Sequence, residues 1–459
     1  MKKRTLPKNG IFLTSEDNQE FQNYFSQIYK TFYNEECEGQ SIKAKSITFV
    51  VTEKCNLNCT YCYEKHSFHK NGKSMSKEVA KDAIDFILND DMLNGYADSK
   101  KSPCLILDFI GGEPLLEIDL IEYICDYFVF KSFELNHPWA NNYMFSICSN
   151  GLLFDTPKVK KFLEKHGNKT SFNITIDGNK ELHDSCRLLP NGKGSYDIVE
   201  KSFQLLIDKY NGNSTKLTIA PGNITHVFDA TKHLWDMGAQ FVNENCIYEE
   251  GWDYSHAKEL YKQMKLLADF LLENNNYQFY YSSLFNEHIG GKVTQDKNYC
   301  GGNGEMLAIG PDGVCYPCLR FMQHSMKSDR PEFICGNIYD GLMNPQEDER
   351  LCKLCSITLS SQSDDKCKNC PISSECGLCT AYNYDKFGDP NKRATYICVM
   401  HQARVLANIY YWNKLYLKNN IYKRIPINIP KEWALNIIDE NEFNTLINLS
   451  RGDIDDIKK

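Results

Sequence analysis

Short apolar runs alternate along the chain with segments whose apolar residues recur on one helical face. Six of the runs read as strands, over 46–52, 104–110, 143–149, 172–176, 216–220 and 240–247. Between the first two, the spacing predicts a helix over 76–89, with Val79, Ala80, Ala83, Ile84, Ile87 and Leu88 on one face. Repeated β/α units predict an α/β fold, with a parallel sheet, right-handed crossovers and covering helices. Six units are too few to close an eight-stranded barrel.

In parallel α/β architectures function gathers at the C-terminal ends of strands, and the polar motifs of this chain fall there. Strand one leads into Lys54-Cys55-Asn56-Leu57-Asn58-Cys59-Thr60-Tyr61-Cys62, a C-x-x-x-C-x-x-C loop. Strand two runs into Gly111-Gly112-Glu113-Pro114, strand three ends in Cys148-Ser149-Asn150-Gly151, and strand four ends in Asp177-Gly178, followed by His183-Asp184 and Arg187. A four-iron cluster normally takes four thiolates, so a three-thiol loop leaves one iron for a substrate or cofactor. Zinc sites favour paired C-x-x-C hooks with four ligands, which this loop lacks.

Composition narrows the setting. The 459 residues suffice for two or three domains, and 42% hydrophobic with 24% charged residues is a soluble globular balance. A net charge of −8 gives no support to a nucleic-acid-binding surface. The basic opening is followed by no apolar segment over 5–10, so no secretory signal is expected. No apolar stretch approaches the roughly 18 residues needed to span a bilayer, and a cytoplasmic location without membrane contact is expected. Twenty cysteines in a reducing compartment point to metal or redox chemistry. Cys37, Cys104, Cys125, Cys148, Cys186 and Cys246 are scattered and read as small buried hydrophobes. The rest fall into the triplet and a dense group from Cys300 to Cys398.

In that group Cys300 precedes Gly313 by twelve intervening residues, and Cys318 follows Gly313 after four. Then come Cys367-x-x-Cys370, five residues to Cys376, two to Cys379 and eighteen to Cys398.

The triplet, with Tyr61 before its third cysteine, resembles the signature of the radical S-adenosylmethionine superfamily. The later array resembles that superfamily's SPASM extension, except that the family pattern has three residues where two separate Cys376 from Cys379. The resemblance covers roughly 46–412. It implies a partial (β/α)6 TIM-like barrel over 46–290 and a cysteine-rich SPASM domain over 291–412, flanked by extensions over 1–45 and 413–459. It implies three four-iron clusters. Cys55, Cys59 and Cys62 would hold the one that cleaves S-adenosylmethionine to methionine and a 5′-deoxyadenosyl radical. Cys367, Cys370, Cys376 and Cys398 would hold an outer auxiliary cluster, and Cys300, Cys318 and Cys379 an inner one. The fourth inner ligand is open among Cys315, Cys335, Cys352, Cys355 and a substrate thiolate.

For S-adenosylmethionine itself the resemblance implies contacts from Tyr61, from Gly111 and Gly112 through close backbone approach, and from Glu113 to the ammonium. Ser149 and Asn150 would meet the ribose, and Arg187 the methionine carboxylate. Asp177 reads equally as a helix N-cap. An external electron donor such as flavodoxin or ferredoxin is implied as a partner.

SPASM enzymes commonly act on peptides or proteins. Sulfatase maturases place an aspartate base directly after the cysteine matching Cys318, where this chain has Leu319 and then Arg320. A leucine cannot remove a proton. The stretches 376–384, 392–398 and 403–412 look instead like maturases of cysteine-repeat peptides, implying thioether crosslinking of a ribosomally made, cysteine-containing precursor. A carbon–carbon crosslink or a sulfatase-type oxidation is the alternative, and a non-catalytic metal-binding adaptor a more distant one. Arg320 reads as a holder of an acidic peptide group or as a salt bridge. The aromatic runs 277–281 and 410–412 read as core more readily than as a peptide groove. Neither flank is long enough for a winged-helix leader-binding domain, so leader recognition is expected through a strand edge or a separate protein. The tail at 425–430, with two prolines, should interrupt regular structure.

Overall fold

Six parallel strands order the first half of the protein: β1 (Lys45–Thr52), β2 (Leu105–Gly111), β3 (Tyr143–Ser149), β4 (Thr170–Thr175), β5 (Ser214–Ile219) and β6 (Phe241–Cys246). They match the six apolar runs, with ends displaced by one or two residues at most. The computed structural model describes residues 45–94, 99, 102, 104–210, 212–249, 251–292, 300–361 and 364–452. Cys37, the residues at 5–10, all but the last of the 1–45 extension and the end of the 413–459 extension lie outside these.

Helices α1 (Lys77–Ile87), α2 (Ile118–Glu134), α3 (Pro157–His166), α4 (Tyr196–Tyr210), α5 (Val227–Asp236) and α6 (Tyr254–Leu272) follow the strands in turn. α1 starts where Ser76 caps it, its side chain accepting from the Val79 amide. One face of the sheet packs on these helices. Ile47, Phe49, Leu107, Phe109, Phe145, Ile147, Ile174, Ile219 and Val242 on that face are each at most 1% exposed. Phe145 meets Phe128 of α2 and His166 of α3 edge-on, at ring centroid distances of 6.3 and 5.7 Å.

The other face is polar. Register places Thr48, Asp108, Ser146 and Ser171 in one row, and Thr175, Lys216 and Asn243 in another. Parallel strands covered on both faces read as continuous apolar runs. β2 instead alternates strictly between buried and half-buried residues, the mark of a sheet curved around an accessible lumen. Asp108 faces that lumen and accepts from the Ser46 hydroxyl, while burial pushes its carboxyl above the usual range.

The sheet continues beyond its six long strands. β7 (Tyr281–Ser282) extends it parallel to β6. On the opposite side β8 (Leu307–Ile309) pairs parallel with β1, and β9 (Val314–Tyr316), β10 (Gly336–Asn337) and β11 (Gly341–Leu342) follow as antiparallel neighbours. The result is a single 11-stranded sheet shared by both halves. After α7 (Thr380–Phe387), helix α8 (Cys398–Lys418) runs unbroken through residue 412 and packs along α6. Its Tyr410 and Tyr411 are core, 4% and 5% exposed, as read from sequence. The 277–281 run differs, since Phe279 and Tyr281 are 63% and 44% exposed. The tail at 425–430 is irregular and is tied to α8 by paired bonds between the Asn413 side chain and the Ile425 backbone.

Phe145→Ala should cost about 3–5 kcal/mol, because it empties a site with no room to collapse. Ser146→Ala, one residue on but facing the lumen, should stay within about 1 kcal/mol. Urea unfolding of the two variants measures the contrast.

Candidate active site

β1 ends at Thr52, and backbone bonds anchor the cysteine loop that follows. The Cys55 amide donates to His69 O (3.1 Å), Thr60 N to Cys186 O (2.9 Å) and Cys62 N to Cys59 O (3.1 Å). Asn58–Cys59 also pairs antiparallel with Arg187–Leu188, which sets Cys59 opposite Arg187. The end of β2 presses on the same loop, with Gly112 N donating to Thr52 O (3.0 Å) and Glu113 N to Lys54 O (2.8 Å). A Cβ on Gly111 would lie 2.0 Å from Thr52 O, and one on Gly112 would lie 2.4 Å from Lys54 O. Among the described residues, what approaches these glycines is the backbone of the cysteine loop.

Glu113 is 1% exposed. One carboxylate oxygen accepts from Ser149 Oγ (2.8 Å) and Leu115 N (3.0 Å), the other from Asn150 N (2.8 Å). Burial still pushes the carboxyl up despite these bonds, so a cation at this point would recover its charge. The Asn150 amide donates to Asn56 Oδ1 (2.7 Å) and lies 4.0 Å from Cys55 Sγ. The ends of β1, β2 and β3 thus bring together Cys55, Glu113, Ser149 and Asn150.

Tyr61, Asp177 and Arg187 form a second group. The Tyr61 hydroxyl donates to Asp177 Oδ2 and accepts from Arg187 Nη1 (2.7 Å), and Arg187 lies 3.8 Å from the same carboxylate. Asp177 is not a helix cap. Its other oxygen accepts from Thr218 N (3.0 Å), while Asn179 caps the short helix Lys180–Cys186. His183 supports the group from below, its Nδ1 accepting from Asp177 N (3.2 Å) and its Nε2 meeting Ser195 Oγ (3.0 Å). Burial, with Arg187 beside it, holds His183 down to about 2, and the ring stays neutral.

Burial pushes the thiols of Cys55, Cys59 and Cys62 up, the last to about 12. A metal that supplies positive charge is what turns such thiols into thiolates. Arg187, 6% exposed, keeps a buried Nε without a hydrogen-bond partner among the described residues. A donor of that kind fits a carboxylate, as the buried Glu113 fits an ammonium. The donor set therefore suits a three-thiolate cluster with an amino-acid ligand beside it.

The later cysteines gather in two places. A Cβ on Gly302 would lie 3.5 Å from both Cys300 Sγ and Cys318 Sγ, and Cys379, which caps α7, acts electrostatically on Cys318. Cys315 and Cys335 are core residues, and Cys335 neighbours Cys355, which neighbours Cys352. Of these four, Cys355 reaches the turn after Cys300, where its Sγ would be 2.7 Å from a Cβ on Gly304. The other gathering holds Cys367, Cys370, Cys376 and Cys398, which act on one another. The short loop from Cys376 to Cys379 is drawn tight against the barrel rim, where a Cβ on Gly377 would lie 2.5 Å from the Tyr248 hydroxyl. Of the scattered cysteines, Cys125 and Cys186 are buried, whereas Cys104, Cys148 and Cys246 are half-buried.

Several residues here escaped sequence reasoning. Glu249, just beyond β6, pairs with Arg320, whose guanidinium also lies 4.5 Å over the Tyr63 ring. The salt-bridge reading of Arg320 is the one the geometry takes. Glu64, 4% exposed, sits 3.7 Å from both His69 Nε2 and His324 Nε2. Burial alone would raise its carboxyl, but the two imidazoles outweigh it and hold it low. The Lys65 amide donates to His324 O (2.7 Å) and Lys327 Nζ to Cys62 O (3.0 Å), so the segment after Cys318 straps the cluster loop. Glu64 and His69 beside the triplet were visible in sequence, but their distant partner His324 carried no signal.

Residues 49–229 match the radical SAM superfamily, whose members bind a four-iron cluster and S-adenosylmethionine, and the chain is an enzyme that carries this domain. Its relatives include an uncharacterized protein of Methanocaldococcus jannaschii, 29% identical over 60% of this chain and 84% of that one. Another is the antilisterial bacteriocin subtilosin biosynthesis protein AlbA of Bacillus subtilis, 24% identical over 72% of this chain and 66% of AlbA. The fold resembles that of anSMEcpe with bound AdoMet, with TM-score 0.60 and 21% identity over 86% of this chain and 98% of that one. It also resembles Streptococcus suis SuiB bound to precursor peptide SuiA, with TM-score 0.53 and 13% identity over 86% and 84% of the two chains. No helix among the described residues is long and apolar enough to cross a membrane.

Gly112→Ala should destabilise the protein by about 1–3 kcal/mol, since its Cβ meets backbone that cannot yield cheaply. It should also lower the iron retained after anaerobic reconstitution. Urea unfolding and iron analysis of the variant read the two effects.

Proposed function

We propose that the enzyme matures a ribosomally made, cysteine-containing peptide by joining a cysteine sulfur to an acceptor carbon. The observation that carries this reading is the inner gathering of Cys300, Cys318 and Cys379 at the barrel mouth, three thiols where a four-iron cluster takes four. A substrate thiolate fills the fourth position in this reading, and Cys355 is its rival from within the chain.

Cys55, Cys59 and Cys62 would hold the first cluster, and Glu113, Arg187, Ser149 and Asn150 would bind S-adenosylmethionine beside it. When bound, that pair supplies a 5′-deoxyadenosyl radical able to take a hydrogen atom from an unactivated carbon. The chain's part is placement. Glu113 fixes an amino group, Arg187 offers its unpaired Nε to a carboxylate, and the polar lumen of Thr48, Asp108, Ser146 and Asn243 takes an extended polar chain. AlbA's role in the biosynthesis of a bacteriocin and the precursor peptide bound to SuiB support a peptide substrate. Leu319 and the engagement of Arg320 with Glu249 leave no base where a sulfatase maturase has one. Residues 291–412 act as the auxiliary-cluster region, with Cys367, Cys370, Cys376 and Cys398 as the outer set. Reducing equivalents come from a flavodoxin or ferredoxin, and the reaction belongs in the cytoplasm.

Coexpression with a cysteine-rich candidate peptide should remove two hydrogens per crosslink and protect the linked cysteines from alkylation. Loss of two hydrogens with every cysteine still alkylatable would instead indicate a carbon–carbon link, and an unchanged peptide mass would refute the proposal. Cys59→Ala should abolish the change. Cys355→Ala should leave the iron content as it is, and loss of iron would make Cys355 the fourth ligand. Glu113→Gln should weaken S-adenosylmethionine binding roughly ten- to hundredfold, from the loss of a charge-assisted hydrogen bond, as read by calorimetry.

A further inference from the structure

Arg393 has no carboxylate to pair with among the described residues. It is half-buried, and its Nη2 donates to Cys376 Sγ (3.1 Å) and to the carbonyls of Cys376 (3.4 Å) and Gly377 (3.0 Å). Its charge acts on Cys376, Cys367 and Cys398, three of the four outer thiols. A half-buried guanidinium facing thiols and carbonyls lacks the anion that such groups ordinarily meet in proteins. Elsewhere in the chain Arg320 has Glu249, and Arg187 has Asp177. Carbonyls satisfy its donors but not its charge.

We propose that Arg393 is the counter-cation of the outer four-thiolate site and sets the redox behaviour of whatever cluster that site holds. A four-iron cluster with four thiolates is an anion in its ordinary oxidation states, and each added electron makes it more so. A hydrogen bond to a ligand sulfur and a positive charge beside it favour the reduced form and raise the potential. The loop geometry serves the same end. Gly377 lets the Cys376–Cys379 turn come close to the Tyr248 hydroxyl, and both carbonyls of the turn accept from the guanidinium. The inference rests on the reading of Cys367, Cys370, Cys376 and Cys398 as cluster ligands.

The test compares Arg393→Lys and Arg393→Met with the full-length wild-type enzyme, reconstituted anaerobically. Iron and sulfide are counted, and the reduced clusters are titrated against potential by EPR. Wild-type protein should hold about twelve irons, as three four-iron clusters require. Arg393→Met should shift one cluster signal to more negative potential, or lose about four irons, while Arg393→Lys stays near wild type. Unchanged potentials with full iron in both variants would overturn the proposal. Equal loss of one cluster's iron in both would do so too, since the requirement would then be for shape and not charge. Wild-type protein with zinc and no sulfide would defeat the underlying ligand assignment and not the role of Arg393 alone.

Discussion

The backbone contact between the end of β2 and the cysteine loop is the constraint on which the rest of the site depends. Gly112 and Glu113 donate their amides into the carbonyls of Thr52 and Lys54, and side chains at 111 or 112 would collide with that backbone. The contact fixes Cys55 and Glu113 with respect to each other in one step. Everything that must be close to the first thiol follows from it, since Ser149 and Asn150 are gathered by the Glu113 carboxylate. A carboxylate this deeply buried is costly to keep charged, and three donors, with no cation paired to it among the described residues, leave part of that cost uncovered.

The polar inner face of the sheet answers a different demand. A packed barrel fills its interior with branched apolar residues, and here Asp108, Ser146, Asn173 and Lys216 stand in their place. Core stability is carried by the outer face and its helices, which frees the inner face for recognition. The C-terminal half is joined to this frame twice, by β8 on β1 and by the segment after Cys318 that grips Cys62 and Lys65. The cysteine loop and the later cysteines therefore belong to one body.

Much of this was legible in the chain because it is local. Strand runs, the one-faced helix after Ser76 and the cysteine spacings are all short-range patterns, and the structure keeps them with small shifts of boundary. What was not legible depends on pairs far apart in sequence. Arg320 meets Glu249, and Glu64 meets His324, across separations that no periodicity encodes. The extra strands beyond the six are too short to show a pattern, two or three residues each. Asp177 looked like a cap because it precedes a helix, yet the residue two places on took that part and left it for Tyr61. The half-polar strands were read as apolar runs, because Val, Ile and Phe on the outer face dominate the local average.

The sheet that begins with the short C-terminal strands ends, beyond β6, in a two-residue strand. Near that end Asn243, Asn245 and Phe241 are open to solvent. An edge left open in this way keeps the polar inner face in contact with water from the side, and not from the strand ends alone.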